Sequence, residues 1–268
     1  MKTLKQHIFE KLKVSRNPYI LFPETKDELK RMVADEILKY GNKCSLNHIN
    51  VSKITDMSSL FFNTTFNGDI SDWDVSNVTT MHGMFAFSKF NGDISDWKVS
   101  NVKNMKYMFE SSEFNGDISN WDVSNVETMK DMFNKSAFNK DISKWDVPKV
   151  ENMEFMFYNS KFNKDISNWN VSNVENMMRL FAYSKFNGDI SNWDVASVTN
   201  MREMFFGSDF NKDISEWNVS SVKYTRDMFS YSKFNGDISD WDVSGVTDMS
   251  WMFHDSPLEN NPPKWYKK

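Results

Sequence analysis

Apolar residues return in the same phase every 24 positions along this chain. Trp73, Trp97, Trp121, Trp145, Trp169, Trp193, Trp217 and Trp241 mark the period. A strict repeat in the range of roughly 20–50 residues signals units that stack and cover one another's apolar faces. Within the unit 66–89, Ile70, Trp73 and Val75 alternate with Asp72 and Asp74. That alternation predicts a short strand with Trp73 and Val75 turned inward. Val78, Met81, Met84 and Phe85 have the spacing of one or two helical turns on the opposite side. Asn67-Gly68 is a turn signal, because both residues tolerate left-handed backbone. Lys140, Lys164 and Lys212 replace the glycine, which leaves the asparagine to carry that conformation.

The strand-like segment begins nine times, at Leu46, Ile70, Ile94, Ile118, Ile142, Ile166, Ile190, Ile214 and Ile238, with Ile49 in place of the first Trp. A tenth copy decays, leaving Leu258 and Trp265 in register around Pro262 and Pro263, which block further strand addition. The region before the array has another pattern. Leu4, Ile8 and Leu12 share a helical face, and a break follows at Ser15–Pro18. Thr25-Lys26-Asp27-Glu28 then forms a capping box ahead of the stripe Leu29, Met32, Val33, Ile37 and Leu38, and Gly41 stands at the C-cap position. These signals predict a helix over 26–40 that covers the first coil. The expected organisation is an N-terminal helical cap at 1–43, an array at 44–258 and a degenerate cap at 259–268.

Composition narrows the function classes. The 268 residues include ten Trp, 23 Phe and 18 Met, ample material for a long core. A net charge of −5 argues against a nucleic-acid partner, which favours a basic face. Cys44 is the single cysteine, so neither an intramolecular disulfide nor a thiolate metal cluster forms. No segment approaches the apolar length of a membrane span, and the N-terminus shows no signal-peptide stretch. A monomer without cofactor or metal is expected.

The unit FNGDISDWDVSNVTTMHGMF at 66–85 resembles the BspA-like leucine-rich-repeat surface proteins, in their variant with a Trp-Asp-Val-Ser-Asn-Val core. The likeness covers about 44–258 in nine in-register copies. It implies an α/β solenoid: a right-handed, leucine-rich-repeat-like coil with a parallel β-sheet on the inner side and short helical turns on the outer side. Some members of that family are thought to mediate adhesion at the cell surface, so the resemblance implies a binding role.

Eight positions per unit are apolar and read as core. The Trp ladder has one alternative, a stacking platform for sugars or bases. Asn67, Asp69 and Ser71 are unchanged in the later units; they read either as turn-closing hydrogen-bond groups or as a cation-binding ladder. Two outward columns form the candidate binding face on the concave sheet. One holds Asp72, Asp96, Asn120, Lys144, Asn168, Asn192, Glu216 and Asp240, the other Asp74, Lys98, Asp122, Asp146, Asn170, Asp194, Asn218 and Asp242. A second candidate is an outer edge of aromatics that differ between units, Phe87, Tyr107, Phe155, Tyr158, Tyr183, Phe206 and Tyr231, with Trp251 in the column of Tyr107 and Phe155; they read equally as contact anchors or as packing between neighbouring coils.

Asp72 and Asp74 stand about 7 Å apart on one strand face, a separation that suits an inverting glycosidase. Near-equivalent pairs repeat down the ladder, however, and catalysis needs one asymmetric pocket. His7, His48, His82 and His254 are scattered, and Cys44 and His48 share no motif. The expectation is a non-enzymatic scaffold that binds a protein or glycan; the alternatives are a structural spacer or, last, a hydrolase.

Overall fold

The computed structural model describes residues 19–267. The amphipathic face Leu4, Ile8, Leu12, the break at Ser15–Pro18 and His7 lie outside the described residues. One α-helix is found among the described residues, α1 (Lys26–Tyr40). Thr25 caps it by accepting from the Glu28 N–H, and the Gly41 N–H closes its end on the Ile37 carbonyl. Glu28 reaches back to the Glu24 N–H rather than to Thr25. Leu29 and Val33 are buried from this helix, while Leu38 points to solvent.

The expected α/β solenoid with a parallel β-sheet does not form. The described residues contain no sheet, only single-residue parallel bridges. Nor do helical turns occupy the opposite side. The one sustained bridge column runs Asp56, Thr80, Asn104, Thr128, Asn152, Asn176, Asn200, Tyr224 and Asp248. It lies in the segment expected to be helical, and the segment expected to be the strand is turns.

The reason lies in polar side chains that capture nearby backbone. Asp93 Oδ1 accepts from the Ser95 N–H, Asp122 Oδ1 from the Ser124 N–H, and Asn104 Oδ1 from the Lys106 N–H. Each such turn competes with strand pairing. With three of these columns per unit, extended backbone is cut to a single residue. The left-handed positions also differ from expectation. They fall at two later columns, as at Phe87 (φ 58°) and Tyr107 (φ 60°), and not at Asn67 or Gly68.

What forms instead is a stack of 24-residue coils joined edge to edge. Met81, Gly83, Phe85 and Phe87 donate their N–H groups to the carbonyls of Asn104, Lys106, Met108 and Glu110 in the next unit. This four-bond pattern repeats at eight junctions, from Met57 to Tyr231. The left-handed residues keep these amides in line. That conformation costs roughly 1–2 kcal/mol for a residue with a side chain, and the junction bonds offset it.

Inside the stack, Phe61, Phe85, Phe109 and Phe133 lie ring over ring at 5.5–5.7 Å. The Trp ladder is core: Trp73 is 3% exposed and its indole N–H donates to the Leu46 carbonyl at 3.0 Å. The same bond recurs through Trp265, which donates to Ile238. Each buried aromatic contributes on the order of 1.5–3 kcal/mol. Thus Trp73 and Val75 point inward and Asp72 and Asp74 outward as expected, although the backbone that carries them is not a strand.

Candidate functional site

The two candidate surfaces fare differently. All sixteen residues of the columns that begin at Asp72 and Asp74 and end at Asp240 and Asp242 are exposed. The concave sheet assigned to them is absent, so they stand on turns. The second column also has local work: Asp74, Asp122, Asn170 and Asn218 accept from the N–H two residues on. Asp72, Asp74, Asp96 and Lys98 border a shallow cleft of about 320 Å³.

Asn67 and Asp69 and their successors are also engaged internally. Asn67 Oδ1 accepts from the Asn91 N–H at 2.9 Å, and that bond repeats up to Asn235. Asp93 accepts from both the amide and the hydroxyl of Ser95, which hold its carboxyl below the usual range. Turn closure accounts for this ladder.

The outer edge is more coherent. Its left-handed backbone turns alternate residues away from the core. Five of the seven expected aromatics form one continuous run. Phe155 meets Tyr158 at 5.4 Å, Tyr158 meets Tyr183 at 5.6 Å, Tyr183 meets Phe206 at 5.2 Å and Phe206 meets Tyr231 at 5.3 Å. His254 and Trp251 extend it, at 5.2 Å from Tyr231 and 5.1 Å from His254. Tyr183, Tyr231 and Trp251 are about half exposed, at 49%, 51% and 58%. Burial pushes the Tyr183 phenol upward, and the neighbouring Tyr158 adds to this.

Phe87 and Tyr107 stand apart. Phe87 pairs with Phe62, and Tyr107 with His82 and the Lys106 ammonium. The next unit interrupts the edge with Asp131, Asn134 and Lys135. Asp131 is buried, burial pushes its carboxyl up, and Asn134 donates to it at 2.6 Å. Beside the run, Arg179 lies 5.3 Å from the Phe155 ring and grips Glu203 through two bonds of 2.6 and 2.7 Å. Sequence reasoning left Phe62 and His254 out of the edge. The signal was present: ring-bearing residues alternate between adjacent columns in successive units, and His254 continues the alternation.

Two groups bear on metal and thiol chemistry. His254, Asp255 and Glu259 bring one ligand atom each within 4.8 Å of one another. Glu259 already accepts from the Asp255 N–H, and His254 Nε2 lies 3.1 Å from the Tyr231 hydroxyl. Cys44 is half-buried, and that burial pushes its thiol up, away from the ionised form a nucleophile needs. His48 pairs instead with Glu36 at 2.9 Å.

Fold and surface together define a repeat protein: a buried aromatic frame of near-identical units carrying an edge that varies from unit to unit. The chain belongs to the family described as "Mycoplasma protein of unknown function, DUF285", whose model matches residues 28–135, 110–185 and 159–265. No curated protein and no solved structure matches it. No helix among the described residues is long and apolar enough to cross a membrane.

Proposed function

We propose that this chain is a non-enzymatic binding scaffold that holds a protein or glycan partner along the aromatic edge from Phe155 to Trp251. One observation carries the reading: rings from five consecutive units touch in an unbroken line on a frame whose core columns are nearly constant. Exposed aromatics joined in this way are the residues on which binding energy concentrates. Arg179 and Glu203 supply polar groups at the margin. The family membership supports a repeat scaffold and is neutral on the partner.

The test is a double substitution, Tyr183→Asn and Tyr231→Asn. Both positions are left-handed, at φ 56°, a conformation asparagine adopts at little cost, so the fold is retained. Labelled protein is surveyed on a glycan array and against surface proteins by crosslinking. Ligands captured by the native chain are expected to bind the double variant at least tenfold more weakly. Equal capture by both would remove the edge from consideration.

A further inference from the structure

The eight junctions share a directional chemistry that continues to the last unit. At every junction the earlier unit supplies four N–H donors and the later unit four carbonyls. The last unit presents the same donor row, Met249, Trp251, Phe253 and Asp255, and among the described residues no further coil is laid on it. Among the described residues, Glu259 takes the Asp255 N–H, and nothing accepts from Met249, Trp251 or Phe253. Met249, Trp251 and Phe253 line a cleft of about 570 Å³ together with His254, Glu259, Tyr266 and Lys267. Tyr266 stacks edge-on to Phe253 at 4.9 Å and Trp265 completes the indole ladder, so the tail covers the Phe253 end of the row and leaves Trp251 exposed and Met249 half-buried. Met249, Val243 and Trp265 are only partly buried against the core.

We propose that this cleft docks a polypeptide segment in the manner of one further coil. The segment supplies alternate backbone carbonyls to Met249, Trp251 and Phe253, and apolar side chains in Met-x-x-Met-Phe spacing to the open face. The commitment to polypeptide rests on the eight internal junctions, where this donor row is always met by that kind of segment. Pairing between two C-terminal ends fails because it would set donors against donors. The principle is strand addition to an open edge, with a row of donors at its centre and the Thr247 carbonyl, whose counterparts accept from the following coil, beside it.

The experiment uses the full chain, labelled with nitrogen-15, and a synthetic peptide of residues 199–208. Within the array this stretch occupies the equivalent place on Met177, Arg179, Phe181 and Tyr183. The peptide is expected to shift the amide signals of Met249, Trp251 and Phe253 and to slow their hydrogen exchange at least tenfold, and a scrambled peptide is not. Met249→Pro removes one donor that has no partner, and is expected to weaken the peptide at least tenfold. Should Met249→Pro misfold, Trp251→Gly replaces it: glycine suits φ 59°, the donors remain, and the lost indole wall should weaken binding severalfold. Unmoved end amides at saturating peptide, or equal protection by the scrambled peptide, would overturn the proposal. Protection that rises with protein concentration in the absence of peptide would also overturn it, in favour of head-to-tail pairing between copies of this chain.

Discussion

The two ends of the array solve the same problem differently. At the first end, α1 lays Leu29 and Val33 over the opening coil, both nearly fully buried. Lys26 reaches Asp56 at 3.2 Å, His48 meets Glu36, and Leu21 bridges to Ile49. Among the described residues, the row of carbonyls at Asp56, Ser58, Leu60 and Phe62 has no partner there, and neither do the Thr55 and Thr65 amides beside it. At the last end a short tail brings Trp265 and Tyr266, and the open groups are amides. Buried carbonyls tolerate missing partners better than amides do. The acceptor end therefore accepts an apolar lid, whereas the donor end keeps its demand for acceptors.

This contrast can be broken experimentally. The largest effect is expected from Trp145→Ala in mid-array, about 3–5 kcal/mol by urea unfolding, from lost packing and cavity formation. The bond from its indole to Ile118 also goes. Trp265→Ala at the half-buried last end should cost clearly less. Equal costs would mean that the ends are as well sealed as the middle. Leu29→Ala should cost about 2–5 kcal/mol and release the first coil to hydrogen exchange, because the lid rests on that side chain. Thr25→Ala, which removes only the cap of α1, should cost about 1 kcal/mol. A much larger loss would show that lid and array unfold together.

The smallest expected effect is that of acid. The carboxyls of Asp93, Asp117, Asp141, Asp189 and Asp213 are each held below the ordinary value by the amide and then the hydroxyl of the serine two residues on. Their stabilisation is whole above the unfolded aspartate value of about 3.9 and is lost as pH falls through the lowered folded values. Asparagine at several of these positions keeps the acceptor and should flatten that acid limb in thermal melts. An unchanged limb would place the acid sensitivity elsewhere, for instance at the ion pairs of the first end.

The sequence told which side chains go inside, because burial follows side-chain chemistry: Ile70, Trp73, Val75, Val78, Met81, Met84 and Phe85 are all core. It also told where α1 begins and ends, because Thr25 and Gly41 carry local signals. It misled on backbone. Alternation at 70–75 has the strand period, yet Asp93 and Ser95, or Asp122 and Ser124, close turns inside the same pattern. Those serines and acids are plain in the sequence; their power to stop a strand depends on how often they recur. Most of the aromatic edge was legible as variable columns. The donor row was not, since the direction of a peptide N–H leaves no mark on residue type.

Each junction is sewn in both directions. Indoles reach back to the carbonyl of the preceding coil, as Trp145 does to Ile118, while main-chain amides reach forward, as Phe133 does to Met156. Both stitches keep their phase only if the chain lengthens or shortens by whole coils. The length of such a molecule is therefore quantised. An insertion of one residue at a junction throws both seams out of step, whereas an insertion of 24 leaves both in register.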